Sequence, residues 1–282
     1  MVAGRSHHLR DSALVVCALL TLALSAQPVA EVPRGADGKP DLNGVWQVLN
    51  RANYDVEPHA ARAALALVPG DLGPVPAPEI VALGAVGAVP GGAGVIDRER
   101  LPYKPAARRQ QRDNQANWLE RDPEIRCYLP GIPRANYMPY PFQIVHSASA
   151  VFFSYEYAGA ARNVYLADPG EAPIDSWMGQ SFGRWDGDTF VIEVTGQNDQ
   201  TWFDRAGNHH SDQLKVTERY TRTGDMTMRY EARIDDPATY TEPWSMAMTL
   251  YRRIGKDAEL QQFKCVEFVE ELQYGHLRSE RR

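Results

Sequence analysis

Strict alternation of apolar and polar side chains limits this chain more than any other feature, because extended backbone points successive residues to opposite faces of a sheet. From 226 to 235, Met226, Met228, Tyr230, Ala232 and Ile234 fall on one face, with Thr227, Arg229, Glu231, Arg233 and Asp235 on the other. The segment 213–222 repeats the pattern: Leu214, Val216, Glu218 and Tyr220 lie opposite Lys215, Thr217, Arg219 and Thr221. One carboxylate, Glu218, is thereby placed among apolar neighbours. Thr223-Gly224-Asp225 supplies the turn between these strands. Upstream, 178–185 and 188–195 flank Asp186-Gly187, a tight-hairpin dipeptide that calls for positive φ.

Shorter apolar or alternating runs at 41–48, 142–147, 150–157, 162–167, 243–252 and 259–268 complete about nine or ten strands in sequence order. Closing such a meander removes its exposed edges. The predicted fold is therefore all-β with minor α: a closed or nearly closed antiparallel β-barrel, lipocalin-like in its meander, formed by residues 31–269 as one domain. Residues 50–105 interrupt it. They include a short helix candidate at 60–66 and an Ala, Gly, Pro and Val-rich run at 68–94, an irregular excursion of the kind that serves as a lid or packs on a partner. The segment 105–120 reads as a helix with Pro105 in its first turn, stopped by Asp122-Pro123. The tail 270–282 is charged and predicted to fray.

The start of the chain has the shape of a secretory signal. Arg5, His7, His8 and Arg10 precede an apolar run at 13–24, and small residues follow at Ser25, Ala26 and Ala30. The run is shorter than the about 20 residues that a spanning helix needs. Residues 1–30 are thus predicted to be cleaved, leaving a secreted or periplasmic protein without stable membrane insertion. Cys17 leaves with the signal. Cys127 and Cys265 then form a single pair in an oxidising compartment, where a disulfide is the default. The formal net charge of -6 excludes the basic surface expected of a nucleic-acid or anionic-membrane binder.

The polar loop between the strands 188–195 and 213–222 carries the chemistry-bearing residues. Asp199, Trp202, Asp204, His209, His210 and Asp212 are too polar for a core and too aromatic for an idle linker. There is no nucleophile elbow, since Ser181 in Gly179-Gln180-Ser181-Phe182-Gly183 lies within a strand. Gly91-Gly92-Ala93-Gly94 lacks the strand and helix of a phosphate loop. Adjacent His209 and His210 point apart on extended chain, and Asp55-x-Glu57-x-His59 matches no established metal spacing. No metal and no organic cofactor is required by these residues. Acid/base chemistry remains. His210 is the candidate base or acid, Asp199 or Asp204 its orienting carboxylate, and Glu218 a lumenal acid whose pKa burial would raise. Trp202, Phe203, Tyr155, Tyr137 and His59 are the candidate substrate contacts, and they suit a small apolar or aromatic molecule.

The chain also carries long motifs: DGKPDLNGVW (37–46), CYLPGIPR (127–134), MPYPFQIV (138–145), WMGQSFGRWDGDTFVIEV (177–194), NDQTWFDRAGNHHSDQLKVTERY (198–220) and DDPATYTEPW (235–244). By these it resembles a widespread group of secreted, mostly uncharacterised bacterial β-rich proteins. Gly44-Val45-Trp46 on the first strand also resembles the G-x-W of calycin or lipocalin barrels, where the Trp plugs the closed end. The resemblance implies a secreted β-rich domain and makes Asp199, Trp202, Asp204, His210 and Glu218 residues to test. One departure stands out: Asp168-Pro169-Gly170-Glu171-Ala172-Pro173 replaces the D-G-R-x-H-P turn of that group, so no histidine acts there. The expected function is a cofactor-independent acid/base enzyme performing isomerisation, cyclisation, dehydration or hydrolysis. The alternative is a non-catalytic, lipocalin-like carrier using the same cavity. A homo-oligomer is left open.

Overall fold

A computed structural model describes residues 1, 32–62, 67–73, 75–76, 89–256 and 258–267, with the backbone alone at Leu67, Pro76 and Leu119. The expected signal peptide and charged tail lie outside the described residues. Nine strands close into a barrel: β1 (Gly44–Val48), β4 (Phe142–His146), β5 (Val151–Tyr155), β6 (Ala161–Tyr165), β7 (Gln180–Asp186), β8 (Thr189–Thr195), β9 (Lys215–Arg222), β10 (Thr227–Asp235) and β11 (Trp244–Arg252). A two-stranded ribbon, β2 (Leu67–Val68) and β3 (Val75–Pro76), belongs to the excursion.

Alternation sets the register. Met228, Tyr230, Ala232 and Ile234 face inward and pair with Arg222, Tyr220, Glu218 and Val216 of β9. The Asp186-Gly187 turn forms as expected, with Gly187 at φ +60°. Neighbours are antiparallel except for β6 and β7, which run parallel over only Val164↔Ser181 and Tyr165↔Phe182. Parallel neighbours cannot be joined by a tight turn, so residues 166–179 cross the length of the barrel on its outside. Gly183 keeps this seam close: a Cβ there would stand 2.6 Å from Val164 Cγ1 of β6.

Side chains fill the lumen. Trp46, Phe142, Phe153, Phe190, Tyr220, Tyr230 and Trp244 are each less than 2% exposed, which leaves no solvent-sized space beside them. Each such burial contributes about 1.5 to 3 kcal/mol. The Arg222 guanidinium lies 5.0 Å over the Trp46 ring and donates to the Asp41 carbonyl, closing one end of the barrel.

The excursion clings to the barrel. Val95 accepts from the Ala247 N–H, and Asp97 donates to the Ser245 carbonyl. The helix expected at 60–66 does not begin where predicted: Arg62 is extended and bridges Val89, and 63–66 lie outside the described residues. The expected helix at 105–120 forms as α1 (Pro105–Ala116) and a single turn, α2 (Trp118–Arg121), broken at Asn117. The strand expected at 259–268 is absent, its described part being irregular. Cys265 there is bonded to Cys127, Gln261 N–H donates to Glu156, and Phe263 packs on Tyr140 and Tyr157. These ties hold the segment against the barrel end without a ladder. No helix among the described residues is long and apolar enough to cross a membrane.

Candidate functional site

Antiparallel closure brings the connections 49–141, 196–214 and 236–243 to one end of the barrel. There the chain after β1 meets the loop between β8 and β9. Asp204 organises that loop as an Asx turn, its Oδ1 accepting the N–H groups of Ala206 at 2.9 Å and Asn208 at 3.2 Å. Its Oδ2 accepts the Val56 N–H at 2.8 Å and the Asn208 amide at 2.7 Å. All four lone-pair positions of Asp204 are thus filled. The same Asn208 amide reaches Asp55 Oδ1 at 3.4 Å, so one side chain lies between two carboxyl groups.

Helix α1 roofs this arrangement. Gln111 Nε2 donates to the Ala206 carbonyl at 2.6 Å and Asn114 to the Gly207 carbonyl at 3.3 Å. Gly207 takes φ +78°, and a Cβ there would stand 2.6 Å from that of Asn114, so only glycine lets the loop approach the helix. Arg108 and Arg112, one turn apart on α1, line a cleft of about 440 Å³ with Asp55, Glu57, Arg100 and Gln111. Glu57 anchors the wall: its Oε1 accepts from the Leu101 N–H at 2.7 Å and from Arg108 at 3.0 Å, and Oε2 from Arg100 at 2.9 Å.

The two aspartates are electrostatically coupled. Burial raises the Asp55 carboxyl above the ordinary range, opposed by the Glu57 N–H and His59, with the Glu57 charge adding to the rise. Burial also raises Asp204, and the Asp55 charge adds to it, against the donors of Asn208 and Val56. Neighbouring carboxyls in a dry site titrate as a pair, the second charge being the costly one. Asp204 has no lone pair free of an N–H. Asp55 Oδ2 has no donor among the described residues, and Asp55 lines the cleft. Asp55 Oδ2 is therefore the carboxylate oxygen of the pair left for a bound molecule.

The residues singled out from the sequence divide differently. His210 is 3% exposed: Nδ1 donates to the Ser211 carbonyl at 2.9 Å, Nε2 accepts from the Thr201 hydroxyl at 2.6 Å, and burial lowers its pKa. It is a neutral, fastened imidazole under Phe203, their ring centroids 5.3 Å apart. Asp199 is exposed, and Asp204 bonds backbone and Asn208, so neither orients His210 by a hydrogen bond. Glu218 does face inward, fully buried, but with other partners. Its Oε1 accepts from Asn136, Tyr220 and Tyr230, and its Oε2 from Arg162. From Leu214 to Glu218 alone is about 13 Å of extended strand, and His210 and Glu218 share no partner. The meeting of imidazole and lumenal acid expected from the sequence is not formed.

The expected aromatic contacts are core. Trp202 is 8% exposed, Phe203 1%, and Tyr137 donates to the Phe203 carbonyl at 2.8 Å. Tyr155 donates to Asn136 at 3.0 Å. His59 lies beside the cleft wall, its ring nitrogens at 2.9 Å and 3.0 Å from the carbonyls of Glu57 and Pro90. Comparison with protein-family models, with curated proteins and with solved structures finds no match to the chain. Asp55, Arg108, Arg112 and Asn208 were not singled out as acid/base residues in the sequence. The Asp204-x-x-Gly207-Asn208 turn was the available signal, since an Asx turn closing on glycine fixes where a carboxylate points.

Proposed function

We propose that this chain is an exported acid/base enzyme whose proton-transfer group is Asp55, working in the cleft between α1 and the excursion that follows β1. One observation carries the reading: Asp55, joined to the buried Asp204 through Asn208, lines a cleft whose walls bear three guanidinium groups. Asp204, saturated by N–H donors, fixes Asp55 in place through the shared Asn208 amide, and burial raises the Asp55 carboxyl above its ordinary range. Asp55 gives a proton to, or takes one from, the bound molecule.

The walls redefine the substrate. An apolar or aromatic molecule was expected from Trp202 and Phe203, but those rings are buried, and the cleft is lined by charged and amide side chains. Glu57 already engages Arg100 and Arg108, whereas Arg112 makes no ion pair among the described residues. A small polar molecule with one anionic group fits, its anion on Arg112 and its reacting carbon toward Asp55. Isomerisation, dehydration and hydrolysis all use such a proton. The Cys127–Cys265 bond and the signal-like residues 1–30 support export.

The experiment incubates the protein and its Asp55→Asn variant with a complex pool of small polar metabolites and follows the pool by mass spectrometry. Molecules converted by the wild type and spared by the variant support the enzyme. Molecules retained unaltered by both would favour the second reading, a carrier using this cleft, since the lumen is packed. Equal conversion by both proteins removes Asp55 from the chemistry.

A further inference from the structure

A single anion on Arg112 does not exhaust the charge of the Asp55 cleft. Arg100, Arg108 and Arg112 bring three guanidinium groups to a lining whose carboxyls are Asp55 and Glu57. Glu57 accepts from Arg100 at 2.9 Å on Oε2 and from Arg108 at 3.0 Å on Oε1. One carboxylate thus answers two cations, which leaves one positive charge over, and Arg112, without an ion pair among the described residues, leaves a second. Asp55 adds at most one negative charge against them, and burial opposes that charge.

The three guanidinium groups are not equally open. Arg108 is fastened, with Nη2 also on the Leu101 carbonyl at 3.1 Å, Nη1 on Gln111 at 3.3 Å, and its guanidinium carbon 4.5 Å over the Tyr103 ring. Arg100 spends only Nη1, its side chain is 74% exposed, and its Nε and Nη2 have no acceptor among the described residues. Those two N–H groups lie parallel along one edge of the guanidinium, the edge that takes a carboxylate bidentately. Arg205 grips Glu124 in that manner in this same protein, Nε on one oxygen at 2.8 Å and Nη2 on the other at 2.9 Å. Arg112, on α1, is exposed and has its whole fork free. The cleft, at about 440 Å³, has room for a carbon frame between two charged ends. We propose that the substrate is a small dicarboxylate, with one carboxylate on Arg112 and the other on the free edge of Arg100. The dicarboxylate rests on the cleft being the reaction site, and it fixes how many charges the substrate brings there.

The test titrates the full chain, at low salt and near neutral pH, with succinate, monomethyl succinate and dimethyl succinate, which keep one frame and carry two, one and no charges. Succinate is expected to bind about tenfold more tightly than the monoester, and the diester not to bind. Arg100→Gln and Arg112→Gln should each lower succinate to the affinity of the monoester. Both side chains are exposed, and Glu57 keeps its Leu101 and Arg108 donors in either variant, so both should fold. Asp55→Asn is expected to keep the preference for succinate, since binding counts charge and not proton transfer. Equal binding of succinate and its monoester overturns the proposal, as does unchanged succinate binding in Arg100→Gln. So does failure to bind both succinate and glutarate, the next longer frame. Inorganic phosphate bound as tightly as succinate also overturns it, because one compact dianion would then suffice. Loss of turnover in Asp55→Asn without a preference for succinate would leave the acid/base reading standing and remove the dicarboxylate. The preference with undiminished turnover in Asp55→Asn would do the reverse.

Discussion

Replacing Glu218 by Gln tests whether the one carboxylate on the inward face of β9 is structural. The side chain is fully buried, and its Oε1 accepts from Asn136 at 2.7 Å, Tyr220 at 2.9 Å and Tyr230 at 2.9 Å. A glutamine can keep those three donors on its own oxygen. Its amide nitrogen must then face Arg162, donor against donor, and the guanidinium loses the charge that keeps it protonated despite burial. Breaking one side of a buried pair costs about 3 to 5 kcal/mol, a large share of the about 5 to 15 kcal/mol by which such proteins are stable. At about 2 to 4 °C per kcal/mol for a chain of this size, Tm should fall by roughly 6 to 20 °C. Urea unfolding followed by circular dichroism measures the loss directly as a lower midpoint at unchanged slope. Adding Arg162→Met to Glu218→Gln should restore part of that loss, giving a favourable coupling between the two sites. A Glu218→Gln variant within about 1 kcal/mol of wild type, the range of exposed pairs, would refute the reasoning, because the charge would then not be isolated from solvent.

Four further outcomes follow from the geometry. Asp55→Asn should lose turnover yet gain stability as pH rises. A carboxyl whose folded pKa is raised contributes its stability below the unfolded value of about 3.9 and loses it as pH climbs through the folded value, whereas the amide does not titrate. The difference in urea midpoint between variant and wild type should therefore grow from about pH 4 upward, and a flat difference would contradict the raised pKa. His210→Ala should cost about 1 to 3 kcal/mol by unpairing the Thr201 hydroxyl and the Ser211 carbonyl, with turnover by the folded protein unchanged; lost turnover would return the imidazole to the mechanism. Glu124 behaves oppositely to Asp55. Although burial pushes it up, Arg205 and Arg134 hold it at about 2, so the stability it contributes is present above the unfolded value of about 4.3 and is lost as pH falls, about 3 kcal/mol in all. Glu124→Gln should flatten the acid limb of the stability curve, and an unaltered limb would exclude this carboxylate as its source. Reducing Cys127–Cys265, which spans 138 residues, should lower stability by up to roughly 5 kcal/mol and raise amide exchange at 258–267; protection there equal to that of the oxidised protein would show that Phe263 packing suffices.

What could be read from the sequence, and what could not, separates along one physical line. Period-two alternation carries inside and outside without reference to any partner, which is why the inward placement of Val216, Glu218 and Tyr220 was legible residue by residue. The direction of a neighbouring strand is not encoded in that alternation. Arg162 and Val164 face inward whether the next strand runs up or down, so the parallel seam at Ser181 had no signature, and the irregular crossover that permits it reads as ordinary loop. The segment 259–268 shows the converse: a strand-like composition without a ladder, because a disulfide and Phe263 satisfy it first. The site failed to show for a related reason. His210 stands in a loop, where neither period fixes the direction of a side chain, and the loop turned it onto Thr201 and Ser211 instead of the lumen. Asp204 was visible as a candidate orienting carboxylate, but its partner Asp55 lies in the distant excursion, and the side chain that bridges the two is Asn208. Local rules place a carboxylate inside, and chain closure selects its companion. If that division is right, Asn208→Ala should separate the two aspartates: Asp204 keeps its three backbone donors, Asp55 loses the bridge, and turnover should fall with little change in the barrel's unfolding. Turnover that survives Asn208→Ala would mean that the pairing across Asn208 is incidental to the chemistry, and that Asp55 acts alone.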